Sequence, residues 1–304
     1  MQKLIVLFGA VAAVALSGGL AQAATCNASI SKVGPISSID YDPFAGLARS
    51  TTFSVEFQNN GSNPCLLGVA VGRQASDPQR AFVKGSNKLV YAVKLPGGSE
   101  VPNSLFAPAG SASLPGGAGK RTTLVLKLEV PAGLIGPSGI YSDVLIFRGY
   151  NIGGTPIALG GGDRNATAAA KVQDKAEVNL AGASGSFGVP FALDKLDFGV
   201  LATGAEKNAF VQVRATSPVT ITVTSQNRGK LLHTTLKQQV PGVLYAMKVD
   251  AQAVNLATGS FSLSRNPPVT LDGISYPMNV RIGDVSSLSA GQYQDVLTIS
   301  VFPR

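Results

Sequence analysis

Segments in which apolar and polar residues alternate recur along most of the chain. The alternation is regular in residues 51–57, 124–130, 219–224 and 296–302. Because successive side chains of a β-strand point to opposite faces, this period predicts strands with one face in a core and the other toward water. Gly, Asn, Asp and Pro cluster between these segments, as is typical of turns. Since no long segment has a helical period, we predict an all-β protein.

Two pairs of matching segments indicate an internal repeat. Residues 89–95 (LVYAVKL) match 243–249 (VLYAMKV), and residues 139–146 (GIYSDVLI) match 291–298 (GQYQDVLT). Because the order and spacing of the two motifs persist, both halves are expected to share one fold. We predict two tandem Ig-like β-sandwiches, with an N-terminal domain at 24–180 and a C-terminal domain at 181–304.

The two halves differ after their last matching strand. In the first half, residues 166–180 can form one more strand after 141–150, whereas in the second half 293–302 is followed only by Pro303-Arg304. We therefore expect the second sandwich to lack its last strand and to expose an apolar groove beside an unpaired sheet edge. A strand from another chain can fill such a groove by β-augmentation.

The first residues predict export. Lys3 precedes an apolar segment at 4–16, and Ala21-Gln22-Ala23 has the small–x–small pattern of a signal-peptidase site. We predict a signal peptide at 1–23, which leaves Thr25-Cys26 at the start of the mature chain and no free segment that could serve as a donor strand. Since exported proteins meet oxidising conditions, we expect a disulfide between Cys26 and Cys65.

Charge and residue types argue against nucleic-acid binding and catalysis. The net charge is +8, but the 25 Lys and Arg residues are scattered rather than clustered. The single histidine, His233, stands alone, and no metal-ligand cluster or nucleophile motif is present. Asp143 and Asp295 recur at equivalent positions of the two halves. This recurrence favours a structural contact in each half over a role as paired catalytic carboxylates. We expect no enzyme activity, no cofactor and no metal.

Apolar residues in the loops of the first half are candidates for a binding surface. The loops 58–64, 96–121 and 150–165 are expected to share the end that faces away from the second domain. Two of these loops have Gly, Ser and Ala between their apolar residues, so we expect them to project as narrow extensions. Alternatively, Leu105, Phe106, Ile157 or Leu159 could fold into the core. The candidate surface residues are Leu105, Phe106, Leu114, Ile152, Ile157 and Leu159.

The ordered motifs resemble those of the spore coat protein U domain family. The resemblance covers both halves and rests on residues 130–143, on 289–295, and on the strand ends at 40–44 and 196–199. The second half departs from many family domains in having no cysteine. A two-domain member is similar to the tip adhesin of archaic chaperone–usher pili, which implies adhesion and biofilm formation.

The resemblance also implies partners and a location. The partners would be a periplasmic pilus chaperone, an outer-membrane usher, an adjacent pilin that donates a strand, and an abiotic or host surface. The protein would pass through the periplasm to the cell surface at the pilus tip. Three alternatives remain open: a polymerising pilin or spore-coat subunit, a periplasmic chaperone, and a secreted carbohydrate-binding lectin. The lectin is less favoured because the loop tips lack Trp and Asn/Asp clusters.

Overall fold

The computed structural model describes residues 26–75, 77–189 and 192–304, so the signal peptide predicted at 1–23 lies outside the described residues. The described chain is built from β-strands and contains no helix. Among these residues, therefore, none forms a helix with the length and apolar character needed to cross a membrane. The strands sort into two groups that share no sheet, which agrees with the prediction of two all-β sandwiches.

The first sandwich packs a four-stranded sheet, in the order β1-β3-β9-β7, on a second sheet with the main order β2-β12-β10-β4-β8. Its strands are β1 Ala28–Val33, β2 Ile39–Tyr41, β3 Arg49–Asn59, β4 Cys65–Arg73, β5 Ala81–Lys84, β6 Asn87–Val90, β7 Ala92–Lys94, β8 Ser104–Leu114, β9 Arg121–Val130, β10 Gly139–Asn151, β11 Ile157–Ala158 and β12 Arg164–Val172. The alternating side chains of both sheets meet in one core, which contains Phe57, Leu126, Tyr141 and Phe147.

The second sandwich has a larger sheet, in the order β13-β14-β20-β17-β16-β21, and a three-stranded sheet, in the order β19-β15-β22. Its strands are β13 Ala176–Ala181, β14 Glu206–Ala215, β15 Val219–Ser225, β16 Lys230–His233, β17 Val243–Val249, β18 Gln252–Val254, β19 Ser260–Arg265, β20 Ile274–Ile282, β21 Tyr293–Gln294 and β22 Leu297–Pro303. A separate core with Val211, Ile221, Val249 and Met278 lies between the sheets.

The connection between the sandwiches differs from the sequence prediction. Residues 166–180 were expected to form one strand that closes the first domain, but the chain bends at 173–175 and forms β12 and β13 instead. Strand β12 pairs with β10 of the first sandwich, and β13 pairs with β14 of the second. We therefore propose that the boundary between the domains lies at residues 173–175 rather than at residue 180.

Short polar contacts surround this connection. The ammonium group of Lys175 lies 2.6 Å from a carboxylate oxygen of Asp42 in the first sandwich. On the other side, the backbone N–H of Lys175 donates to the hydroxyl of Thr216, and the backbone N–H of Ser138 donates to the carbonyl of Thr216. These contacts hold one end of the first sandwich next to the second, so the opposite end of the first sandwich faces away from it.

The segment 96–121 was expected to be a long loop, and this expectation is wrong. Residues 104–114 of it form β8, which pairs with β4 in a register that places Leu114 opposite Cys65. The register shifts twice along this pair, between Leu67 and Val69 and again between Val69 and Val71. Such β-bulges leave residues unpaired and bend the strand.

Candidate functional site

A tyrosine–aspartate contact repeats in the two sandwiches. The hydroxyl of Tyr91 donates to Asp143 at 2.7 Å, and the hydroxyl of Tyr245 donates to Asp295 at 2.5 Å. Burial and the nearby carboxylate raise the pKa of both tyrosines, so both remain protonated donors. Since each pair joins the two repeated sequence motifs, it fixes the aspartate segment, which lies within β10 and just before β22, in the same way in both sandwiches.

The strand after this contact is paired on both sides in the first sandwich. Strand β10 has β4 on one side and β12 on the other, both antiparallel. Strand β12 is in turn paired in parallel with β2, from Ala170 opposite Ile39 to Val172 opposite Tyr41. A strand therefore fills the space between β10 and β2 and completes the sheet.

The equivalent strand of the second sandwich is paired on one side only. Within the described residues, β22 pairs with β15 from Val219 opposite Pro303 to Ser225 opposite Leu297, and no strand is hydrogen-bonded to its other side. The segment 196–198, which matches the β2 region, also forms no strand, although Leu196 and Phe198 pack against the second core. We call β22 and residues 196–198 the open edge.

Side chains at the open edge are covered less completely than those at the matching positions of the first sandwich. Leu145 and Phe147 of β10 are 0% exposed, whereas Leu297 and Ile299 at the matching positions of β22 are only partly buried. Val301 is likewise partly buried and packs at the border of the second core. These three residues therefore form a partly exposed apolar row along a strand whose backbone is unpaired on one side.

The far end of the first sandwich is formed by three loops, as the sequence predicted. Asn59 joins two of them, because its side-chain amide donates to the carbonyls of Asn63 at 2.7 Å and Pro115 at 2.8 Å. The third loop is attached by the backbone N–H of Ile152, which donates to the carbonyl of Leu66 at 2.8 Å. The loop from the middle segment is shorter than predicted, because β8 occupies residues 104–114 of that segment.

The six candidate surface residues do not all lie on the surface. Phe106 is 82% exposed and Ile157 is 65% exposed. Leu114 is 1% exposed and belongs to the core, because its register with Cys65 turns its side chain inward; its assignment to a binding surface was wrong. Leu159 is partly buried against the same core.

Leu105 and Ile152 are partly buried for a different reason, since they lie on the outer face of the sheet. A Cβ atom at Gly72 would come within 2.9 Å of Leu105, and one at Gly68 would come within 3.2 Å of Ile152. The two glycines of β4 thus leave space for these side chains to lie flat on the strand. The hydroxyl of Tyr150 fixes the arrangement by donating to the carbonyl of Leu105 at 2.6 Å.

Phe106 lies on the outer face of the sheet rather than at a loop tip. It occupies the bulged part of β8, and the guanidinium of Arg148 lies 5.5 Å from the centre of its ring. Arg148 is held by Asp163 through two hydrogen bonds of 2.8 Å. Leu66, which the sequence pattern did not indicate, is 38% exposed beside the Ile152 loop. We define the apolar face as Leu66, Leu105, Phe106, Ile152 and Ile157.

His233 has structural contacts on both ring nitrogens. Its Nδ1 accepts the backbone N–H groups of Thr235 and Leu236, each at 3.1 Å, and its Nε2 lies 3.2 Å from the carbonyl oxygen of Ala290. Residues 26–75, 77–189 and 192–304 contain no group of three His, Cys, Asp or Glu side chains that could hold a metal ion. The disulfide predicted between Cys26 and Cys65 is present.

Comparison with known proteins gives structural neighbours only. No protein-family model matches the chain, and no curated protein matches it. The chain is similar, at 16% identity and a TM-score of 0.51, to a chain of the CsuC–CsuE chaperone–tip adhesion subunit pre-assembly complex from the archaic chaperone–usher Csu pili of Acinetobacter baumannii, with 89% of this chain and 99% of that chain covered.

A second neighbour is the CupB6 tip adhesin from Pseudomonas aeruginosa, at 11% identity and a TM-score of 0.39, with 91% of this chain and 92% of that chain covered. A third is the CFA/I adhesin CfaE of enterotoxigenic Escherichia coli, at 11% identity and a TM-score of 0.40, with 89% and 93% covered. At 16% identity the first similarity shows the fold alone, which is an Ig-like β-sandwich fold.

Proposed function

We propose that this protein is the adhesive tip subunit of an archaic chaperone–usher pilus. The observation that carries the proposal is the open edge, where β22 lacks the neighbour that β12 provides in the first sandwich. An exposed apolar edge strand promotes aggregation unless another strand covers it. A strand added in trans gains backbone hydrogen bonds and buries alternate side chains, which is β-augmentation.

The partners are inferred from the two stages, before and after assembly, at which a strand from another chain must cover the open edge. A periplasmic chaperone would cover the open edge before assembly, and a donor strand of the adjacent pilin would replace it in the fibre, with an outer-membrane usher as the assembly site. The predicted signal peptide and the Cys26–Cys65 disulfide support export through the periplasm to the cell surface. The Csu complex, a chaperone bound to a tip adhesion subunit, supports the same order of events.

The apolar face would attach the pilus to abiotic or host surfaces. Phe106 and Ile157 are the most exposed of its residues, and Leu66 adds to the area. At about 25 cal/mol per Å² of apolar area, burial of a few such side chains contributes several kcal/mol per molecule. Many fibres on one cell would multiply the effect by avidity. The sandwich fold and the structural contacts of His233 support a non-enzymatic role.

A polymerising pilin or spore-coat subunit is the second candidate function, because it would carry the same open edge. The two candidates differ in whether the chain donates a strand as well as accepting one. The first sandwich is already completed by its own β12, which supports a role for that domain other than polymerisation.

Adding the absent strand in cis tests the proposal. We would append to Arg304 a Gly/Ser linker as long as the 152–163 connection, followed by a nine-residue strand with apolar residues at alternate positions. We expect a higher unfolding midpoint for the second sandwich and loss of binding to the cognate chaperone, because the extension occupies the same edge. The matched control carries the same residues with a central proline, which cannot complete the ladder.

Equal unfolding midpoints for the two extensions, or chaperone binding that is unaffected by the paired extension, would reject the open edge as an acceptor. Assembly position is tested separately by immunogold labelling of fibres. Label at the fibre ends supports the tip subunit, and label along the shaft supports the pilin.

A further inference from the structure

A bulge of β8 carries the most exposed side chain of the apolar face. In the pairing of β8 with β4, Ser104 lies opposite Val71 and Ala109 lies opposite Val69. Between these two pairs β4 has one residue and β8 has four, so β8 has three extra residues there. Extra residues on one strand of a pair must leave the ladder and bend the strand. We call residues 105–108 the bulge.

The bulge lies on a strip of small residues on the outer face of the sheet. Gly68, Ala70 and Gly72 of β4 point away from the core, yet all three are buried. Leu105 covers this strip at Gly72, where an added Cβ atom would come within 2.9 Å of its side chain. Phe106, the next residue, is 82% exposed. The bulge therefore covers the sheet with one side chain and presents the other to solvent.

Tyr150 ties the backbone of the bulge to the sheet. Residues 105–108 have no partner on β4 in this register, so their backbone groups need other hydrogen bonds. The hydroxyl of Tyr150 donates to the carbonyl of Leu105 at 2.6 Å, and the backbone N–H of Phe106 donates to the hydroxyl of Ser104 at 3.0 Å. Since Tyr150 is 6% exposed and belongs to β10, a strand inside the sheet, its contact fixes the bulge from outside.

Arg148 supports the ring of Phe106. Its guanidinium lies 5.5 Å from the ring centre, within the range of about 6 Å over which a cation and an aromatic face attract each other. Two parallel hydrogen bonds of 2.8 Å to Asp163 fix the plane of the guanidinium. Asp163, and to a smaller extent the hydroxyl of Tyr150, raise the pKa of Arg148, so the three polar groups interact with one another.

We propose that Asp163, Arg148 and Tyr150 are positioning residues for attachment, which hold the bulge in the conformation that projects Phe106 from the apolar face. The inference rests on the proposed attachment role of that face. Arg148 holds the ring, and Tyr150 holds the backbone through the carbonyl of Leu105. A side chain that is already fixed loses less conformational entropy when a surface covers it, so the network strengthens each contact with that surface.

A fluorescent reporter at the bulge tests the positioning directly. The chain contains no Trp, so Phe106→Trp supplies a single indole, whose ring can keep the contact with the guanidinium. Time-resolved fluorescence anisotropy of the purified full chain measures the nanosecond motion of this ring. We expect Arg148→Met and Tyr150→Phe, each combined with Phe106→Trp, to increase the amplitude of the fast depolarisation.

Adsorption to polystyrene, measured by quartz-crystal microbalance without the reporter, tests the link to attachment. Arg148→Met and Tyr150→Phe should each lower adsorption by about two- to fivefold, the effect of a surface contact of this kind. Arg148→Lys keeps the charge but cannot form two parallel bonds with Asp163, so its adsorption should lie between the parent protein and Arg148→Met. Arg121→Met is the matched control, because it breaks an ion pair with Glu56 on the other sheet and should change neither signal.

Four results would overturn the inference. Unchanged anisotropy in both variants would show that the network does not hold the ring, and increased motion with unchanged adsorption would separate the network from attachment. Equal changes in Arg121→Met would show a general loss of stability instead. If the attachment role itself is wrong, Phe106→Ser leaves adsorption unchanged although Arg148→Met still increases the motion of the reporter, so this failure is distinguishable from the others.

Discussion

The same leucine-to-alanine change at matching positions of the two sandwiches should have different costs. Leu145 of β10 is 0% exposed, and removing a fully buried leucine side chain to alanine costs about 2–5 kcal/mol of unfolding free energy. Leu297 of β22 is the matching residue, but it is partly exposed at the open edge. Its removal should cost about 1–2 kcal/mol, because part of its apolar area is already in water.

A donor strand should abolish that difference. In the protein extended with a paired C-terminal strand, Leu297 is covered as Leu145 is, and Leu297→Ala should then cost about 2–5 kcal/mol. Urea unfolding followed by pulsed hydrogen exchange and mass spectrometry gives a separate midpoint for each sandwich. The reasoning is refuted if Leu297→Ala costs as much as Leu145→Ala without the extension, or if the extension leaves its cost unchanged.

Three further predictions concern the first sandwich. Replacing Phe106 and Ile157 together with serine should lower adsorption to polystyrene several-fold, measured by quartz-crystal microbalance, because it removes the most exposed apolar side chains of the apolar face. Replacing Cys26 with serine should lower the unfolding free energy of this sandwich by about 4 kcal/mol, the chain-entropy value for a loop of about 40 residues, with no change in the second sandwich. Asp42→Asn should remove a contribution to stability that is present at neutral pH and disappears below about pH 4.

The sign of the pH effect is set by the surroundings of Asp42. Burial raises the pKa of its carboxyl, but hydrogen bonds from Lys175 and from the backbone N–H of Phe44 outweigh burial and lower it overall. A carboxyl with a lowered pKa stabilises the folded state above its unfolded pKa of about 3.9, and this stabilisation is lost as the pH falls through the folded value. If the unfolding free energies of Asp42→Asn and the parent protein depended on pH in the same way between pH 3 and 7, the assignment would be contradicted.

Each of these predictions has a matched control. Val125→Ser changes another exposed apolar residue, on the opposite sheet, and should leave adsorption unchanged. An equal loss of adsorption in that variant would point to general hydrophobicity rather than to the apolar face. For the disulfide, a lower midpoint in both sandwiches would contradict the separation of the two cores.

The sequence predicted those features that depend on regular alternation or on repeated motifs. Strands β3, β9, β15 and β22 are expected from their period of two, and the motifs around Tyr91 and Asp143 recur because they form one hydrogen bond in each sandwich. The open edge was also predictable, since it is a difference between two otherwise matching halves. These features are encoded by local pattern and by comparison within the chain.

Features that depend on tertiary pairing were not predictable from pattern alone. Strand β8 is rich in Ala, Gly and Ser, so it lacks the large alternating residues that identify a strand, and its bulges expose Phe106 while burying Leu114. No turn motif with Gly or Pro divides residues 166–180, and the pairing of β12 and β13 with different sheets shows where the two strands separate.

Hydrogen exchange of the β22 amides, with and without a strand donor, tests the central claim most directly. In the free protein, the amides of β22 that point away from β15 should exchange rapidly, while the amides of β10, which is paired on both sides, remain protected. Binding of the chaperone or of a donor peptide should protect every second amide of β22. If the β22 amides of the free protein are as strongly protected as those of β10, and a donor adds nothing, the edge is closed and the account is wrong.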